Sequence, residues 1–118
     1  MINIKPPKTL FWTNHAKAKM NFYRLSEQRV RRVLNSPKRI EEGIAPKTIA
    51  MMQPASYKTY GSNKTDRLDG TYWTQEIWVM IEDSRVKRKI ISAWRYPGMT
   101  KVGEPLPEEI LLEMSEVA

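Results

Sequence analysis

The sequence predicts an α+β domain. Two N-terminal helices pack on a four- to five-stranded, mainly antiparallel sheet, and a short C-terminal helix follows. Three observations carry this expectation. Residues 14–39 show helical spacing interrupted by one capping signal at Leu25-Ser26. Residues 75–96 carry apolar side chains at period two around a polar turn. Pro107 then opens an amphipathic stretch with Ile110, Leu111 and Met114 on one stripe.

At 118 residues the chain suits a single domain, residues 1–118, with one core. No cysteine is present, which excludes disulfides and thiolate chemistry and fits a cytoplasmic setting. One histidine and scattered carboxylates make a metal site improbable, and no cofactor-binding loop is visible. The N-terminus lacks the apolar run of a signal peptide, and no apolar stretch is long enough for a bilayer span. No membrane association is therefore expected.

The net charge is +7 and the isoelectric point about 9.8. Such a surface attracts polyanions or an acidic partner. The charge is unevenly placed: no basic residue follows Lys101, whereas Glu104, Glu108, Glu109, Glu113 and Glu116 all lie there. Segment 104–118 is thus an acidic helix appended to a basic body.

In chain order, residues 1–9 read as a flexible arm around Pro6-Pro7. Leu10-Phe11-Trp12 is either a brief strand or an apolar plug. Thr13 or Asn14 caps the first helix, in which Ala16, Met20 and Tyr23 share one side and Ala18, Phe22 and Leu25 another. His15 and Lys19 lie between those arcs, one turn apart. Ser26 caps the second helix with Glu27 in its first turn, and Leu25 with Val30 suits a hydrophobic staple. Val30, Val33 and Leu34 form its buried side, and Asn35-Ser36-Pro37 ends it.

Residues 39–44 and 47–53 read as two strands. Segment 54–72 is loop-rich, although Tyr57–Tyr60 could extend the sheet. Across residues 75–82, Ile77, Val79 and Ile81 face one way and Trp78 and Met80 the other, the mark of a central strand. The return strand, 86–96, alternates Lys87, Lys89, Ile91, Ala93 and Arg95 against Arg88, Ile90, Ser92, Trp94 and Tyr96. The order is α-α-β-β-(β)-β-β-α.

His15-Ala16-x-x-Lys19-Met20, followed by Leu25-Ser26, Val30, Val33-Leu34, Pro37, Ile40 and Gly43, resembles a family of small bacterial domains grouped near the BrnT and RelE/ParE toxins. Ile77–Met80 and Ile90–Arg95 resemble that family's last hairpin, with its arginine near the strand end. This chain has Lys19 and Tyr23 where arginines are usual, and Arg24 where a glycine often closes the first helix. A non-glycine there would need a positive φ, unless the turn differs.

The resemblance implies RNA-directed chemistry: a metal-independent endoribonuclease of a toxin–antitoxin pair, acting on RNA or at the ribosome and neutralised by a small antitoxin. Such cleavage needs proton transfer and cations for the phosphate. It implies His15 as acid or base, Arg95, Arg88 and Lys19 as charge stabilisers, and Tyr96 as acid or stacking group. Arg85, Lys87, Arg88 and Lys89 at the hairpin, with Arg31 and Arg32, are the candidate nucleic-acid contacts.

Structural alternatives stand beside these. His15 could buttress the helix start by bonding a carbonyl, and Arg95 could pair with an acid of the C-terminal helix. Trp73, Trp78 and Trp94 read as core, and the hairpin cations could simply protect an edge. The competing functional readings are a non-catalytic nucleic-acid-binding domain and a protein-interaction domain, the latter including a homodimer that uses the acidic tail.

Overall fold

The computed structural model describes residues 8–43, 46–56, 58–59 and 71–102. Strand β1 (Thr9–Trp12) leads through Thr13 into helix α1 (Asn14–Tyr23), and helix α2 (Glu27–Asn35) follows. Strands β2 (Arg39–Glu42), β3 (Thr48–Pro54), β4 (Lys58–Thr59), β5 (Thr71–Tyr72), β6 (Gln75–Asp83) and β7 (Lys87–Pro97) complete the described elements. The main sheet runs β1-β7-β6-β3-β2, and β4 and β5 pair separately.

The architecture is α+β, with two helices on one five-stranded sheet. The sheet is mixed: β1 pairs with β7 in parallel, while β7–β6, β6–β3 and β3–β2 are antiparallel. Leu10-Phe11-Trp12 is therefore a strand and not a plug, and it precedes the helices. The expected C-terminal helix, 104–118, and the arm before Lys8 lie outside the described residues, as does 60–70.

Thr13 decides where β1 ends. Its backbone N–H and its hydroxyl both donate to the Ile90 carbonyl, at 3.2 and 2.9 Å. The same hydroxyl accepts from the Ala16 N–H at 3.0 Å, which caps α1. One side chain thus closes the parallel ladder and opens the helix, so α1 continues along β7 in the direction set by β1.

At the other end, Leu25 N–H donates to the Met20 carbonyl at 2.7 Å and Arg24 N–H to Asn21 at 3.3 Å. This is a Schellman turn, and its left-handed residue is Arg24, at φ 57° and ψ 50°. The sequence expectation of a strained, non-glycine turn is met at this position. Ser26 caps α2 through the Arg29 N–H, and Leu25 and Val30 are buried in one cluster, as the staple requires.

Two apolar layers result. Ala16, Met20, Val30 and Val33 from the helices meet Met51, Ile77, Val79 and Ile81 on one sheet face. Ala50, Met52, Trp78, Met80 and Trp94 form a second cluster with Trp73 on the opposite face. The three tryptophans are core, and Trp78 and Trp94 stack with centroids 6.1 Å apart.

Simple alternation fails in β7. Ser92 pairs with Met80 but Ile90 pairs with Ile81, so Ile91 is an extra residue. This bulge reverses the facing of the strand. Ile90 consequently joins Ala93 in the helix-side cluster, whereas period two had placed it with Trp94. Of the 57–60 segment the structure describes Lys58–Thr59, which pairs with Thr71–Tyr72 and not, among the described residues, with the main sheet; Pro54 ends β3 and has no N–H to carry a ladder on.

Candidate functional site

Arg95 lies near the end of β7 beside the α1–α2 junction. Its Nε donates to the Tyr23 carbonyl at 2.7 Å, Nη2 to the Arg24 carbonyl at 3.4 Å, and Nη1 to Gln75 Oε1 at 3.2 Å. A left-handed turn leaves carbonyls at the end of α1 without helical partners, and Arg95 supplies them. All three acceptors are neutral, so no counter-charge faces the guanidinium in these bonds. Two of its five N–H groups remain uncommitted by these bonds.

Arg29 comes to the same place from α2. Its Nη1 donates to Gln53 Oε1 at 2.6 Å and its Nη2 to the Pro54 carbonyl at 3.1 Å. Gln53 is itself fixed, because its Nε2 donates to the Arg32 and Ser36 carbonyls at 3.1 and 2.8 Å. Burial, then the nearby Arg32 and Arg95 charges, push the Arg29 guanidinium below its ordinary pKa. Among the described residues, no carboxylate pairs with Arg24, Arg29, Arg32 or Arg95. Gathering like charges against neutral oxygens costs free energy, and a bound anion would recover it.

His15 stands elsewhere. It is on the first turn of α1, half-buried, and its Nε2 is buried without a hydrogen-bond partner. It does not buttress the helix start through that nitrogen. Desolvation, then the Lys19 charge, hold its pKa below the ordinary imidazole value of 6.5. Tyr23, whose carbonyl Arg95 holds, follows His15 by eight positions of helix, or about 12 Å along the axis. Lys19 lies between them, with its ammonium 5.6 Å from the Phe22 ring and 5.8 Å from the Tyr23 ring. The described fold does not bring His15 and Arg95 together on one phosphate.

Tyr96 is half-buried and packs against the second cluster, on the opposite sheet face from Arg95. Arg88 pairs with Asp83 at 3.4 Å, and Lys89 with Glu82 at 3.6 Å. Lys87 sits 5.3 Å over the Phe11 ring, and Arg85 is exposed. Much of the hairpin charge is therefore already engaged. Arg31 pairs with Glu27 at 3.9 Å and lies over Trp12, while Arg32 is exposed beside Arg29. No group of three or more His, Asp or Glu suited to a metal occurs among the described residues. Among the same residues no helix is long and apolar enough to cross a membrane.

Sequence reasoning missed Arg29 and Gln53. Arg29 and Arg32 are three residues apart and share a stripe of α2, yet only register puts Gln53 beneath them. It also missed Glu76, which is fully buried on the second face. Its carboxylate accepts from Trp73 and Trp78 Nε1 at 2.9 and 3.0 Å, and from the Thr100 N–H and hydroxyl at 2.9 and 2.8 Å. Arg39 extends this network to the Thr100 hydroxyl at 2.7 Å, while its guanidinium covers the Trp78 ring at 5.3 Å.

Comparison with protein-family models, with curated proteins and with solved structures finds no match to this chain.

Proposed function

We propose that this chain is an RNA-acting protein of the RelE/BrnT toxin type, which binds the RNA backbone at Arg29, Arg32 and Arg95. One observation carries the reading. Two part-buried guanidiniums are held by neutral oxygens at the same end of the sheet, with no carboxylate paired to them among the described residues. Such an arrangement suits a phosphate, which takes guanidinium donors in pairs and cancels the repulsion. The net charge of +7 adds long-range attraction for a polyanion.

The test is RNA binding over a range of salt. Affinity should fall steeply as salt rises, and Arg32→Gln, at an exposed position, should lower the log–log slope by roughly 0.7 per lost contact with a single strand. Affinity that is flat between low and physiological salt overturns the reading.

A catalytic form of the proposal rests on His15. Its Nε2 is buried and without a partner, so the ring must turn outward before that nitrogen accepts a proton from a ribose 2′-hydroxyl. That oxygen would attack the adjacent phosphorus to form a 2′,3′-cyclic phosphate, and the departing 5′-oxygen would take its proton from water, with Lys19 beside the developing charge. The scissile phosphate then lies near His15, and the arginines hold the strand farther along α1. Expression of the protein in a bacterial host should arrest growth, His15→Ala should relieve the arrest, and a small acidic antitoxin should suppress it. Normal growth with soluble, RNA-binding wild type leaves a non-catalytic binding domain.

A further inference from the structure

Phe22 is the most exposed aromatic side chain among the described residues, at 73%. The apolar arc it shares in sequence with Ala18 and Leu25 leads one to expect burial, yet only Leu25 of the three is buried. Single exposed apolar residues are ordinary, so exposure alone decides nothing. Position and support distinguish this one.

The Phe22 ring meets Tyr23 edge to face, with centroids 4.8 Å apart and planes at 85°. Tyr23 is half-buried and packs against both apolar clusters, so it is a fixed support. The Lys19 ammonium lies 5.6 Å from the same ring. The next carbonyl along the chain, that of Tyr23, is the one Arg95 holds at 2.7 Å. A supported aromatic face thus adjoins the unpaired arginines. The other large exposed aromatic, Phe11, is on β1 under the Lys87 ammonium. Ile40, Val86 and Val102 are exposed but have no π face.

We infer that Phe22 is a stacking platform for an unpaired nucleobase, and that the ligand of this surface is single-stranded RNA rather than a duplex. This rests on the arginine-cluster reading above. Stacking on an aromatic ring needs a base out of its helix, whereas guanidinium–phosphate contacts are open to either form. The two features together select a strand whose phosphates run past Arg95, Arg29 and Arg32 while one base turns onto Phe22.

The experiment measures binding of full-length wild type, Phe22→Ala and Phe22→Trp to a single-stranded RNA and to the same strand annealed as a duplex, at several salt concentrations. Phe22→Ala should lose about tenfold or more in affinity for the single strand. Its duplex affinity, salt slope and melting temperature should match wild type, and Phe22→Trp should retain single-strand binding. Salt-sensitive binding that is indifferent to Phe22, or an equal loss on duplex, overturns the platform and spares the arginine cluster. Wild type that binds neither form removes the arginine cluster, and the platform with it.

Discussion

The Arg95 guanidinium is 2.7 Å from the Tyr23 carbonyl, and the residue after that carbonyl is in a left-handed conformation. A side chain from the last strand of the main sheet thereby closes the first helix. Arg95 is accordingly a structural part of the site as well as a charge in it. Arg95→Lys keeps the charge but cannot bridge Tyr23, Arg24 and Gln75 at once. It should cost about 2 kcal/mol in a urea melt, because it leaves polar groups of a part-buried turn unpaired. Wild-type stability in Arg95→Lys would show that the turn needs no cross-link. Any loss of RNA binding or toxicity in an Arg95 variant must be compared at equal folded fraction.

Arg24 gives the opposite expectation. Its φ of 57° disfavours a side chain bearing a Cβ, and a glycine would relieve it. Arg24→Gly should raise stability by about 1 kcal/mol while removing one cation from the site. A variant that binds RNA less well and melts later would separate affinity from stability. Destabilisation would mean that the Arg24 side chain contributes more than its backbone conformation costs.

The single histidine makes pH dependence directly readable, since its ring protons give one set of NMR signals. The folded-state pKa should lie below 6.5, for burial first and Lys19 second. Lys19→Gln should raise it part of the way. The sign for stability follows. Below 6.5 the unfolded chain takes up a proton that the folded chain resists. Wild type therefore loses stability relative to His15→Gln as pH falls from 6.5 through the folded pKa, after which the difference is constant. A wild-type-minus-variant difference that is flat over that window contradicts the burial of the ring.

Glu76 tests the second face. Both oxygens accept two hydrogen bonds, so Glu76→Gln would turn one acceptor into a donor facing other donors. The expected loss is about 3 kcal/mol, with altered tryptophan fluorescence because two indoles lose their partner. A near-neutral substitution would mean that the network rearranges freely.

Gly43 has a packing reason. A Cβ there would collide with the Thr48 side chain and would come within 2.7 Å of its carbonyl carbon. Gly43→Ala should open the β2–β3 pairing and cost about 2 kcal/mol by thermal melt. Unchanged stability would show that the turn can shift.

Much of the fold is legible locally. Thr13 and Ser26 are capping residues by chemistry, Leu25 and Val30 form their staple, and Ile77, Val79 and Ile81 alternate against Trp78 and Met80 as a central strand must. The errors have a common origin. The Ile91 bulge carries no sequence mark, yet it exchanges the faces of Ile90 and its neighbours, which only the β6 register reveals. Pairing of β1 with β7 joins residues 78 positions apart, as Thr9 with Lys87, and no local pattern encodes a contact at that range. The site divides the same way: His15, Lys19 and Arg95 were legible as residue types, but that Arg95 meets α1 at Tyr23, the far end of the helix from His15, was not.

By itself, then, the sequence determined the helix starts, the two-sided apolar pattern of β6 and the basic character of residues 1–101. Those properties depend on nearest neighbours, side-chain chemistry and period. Only the tertiary structure decided that Arg95 completes the end of α1, that Gln53 and Pro54 hold Arg29 beside it, and that Phe22 faces solvent. Each depends on the packing of α1 and α2 against β3 and β7, where distant residues meet and the nearest oxygens are neutral.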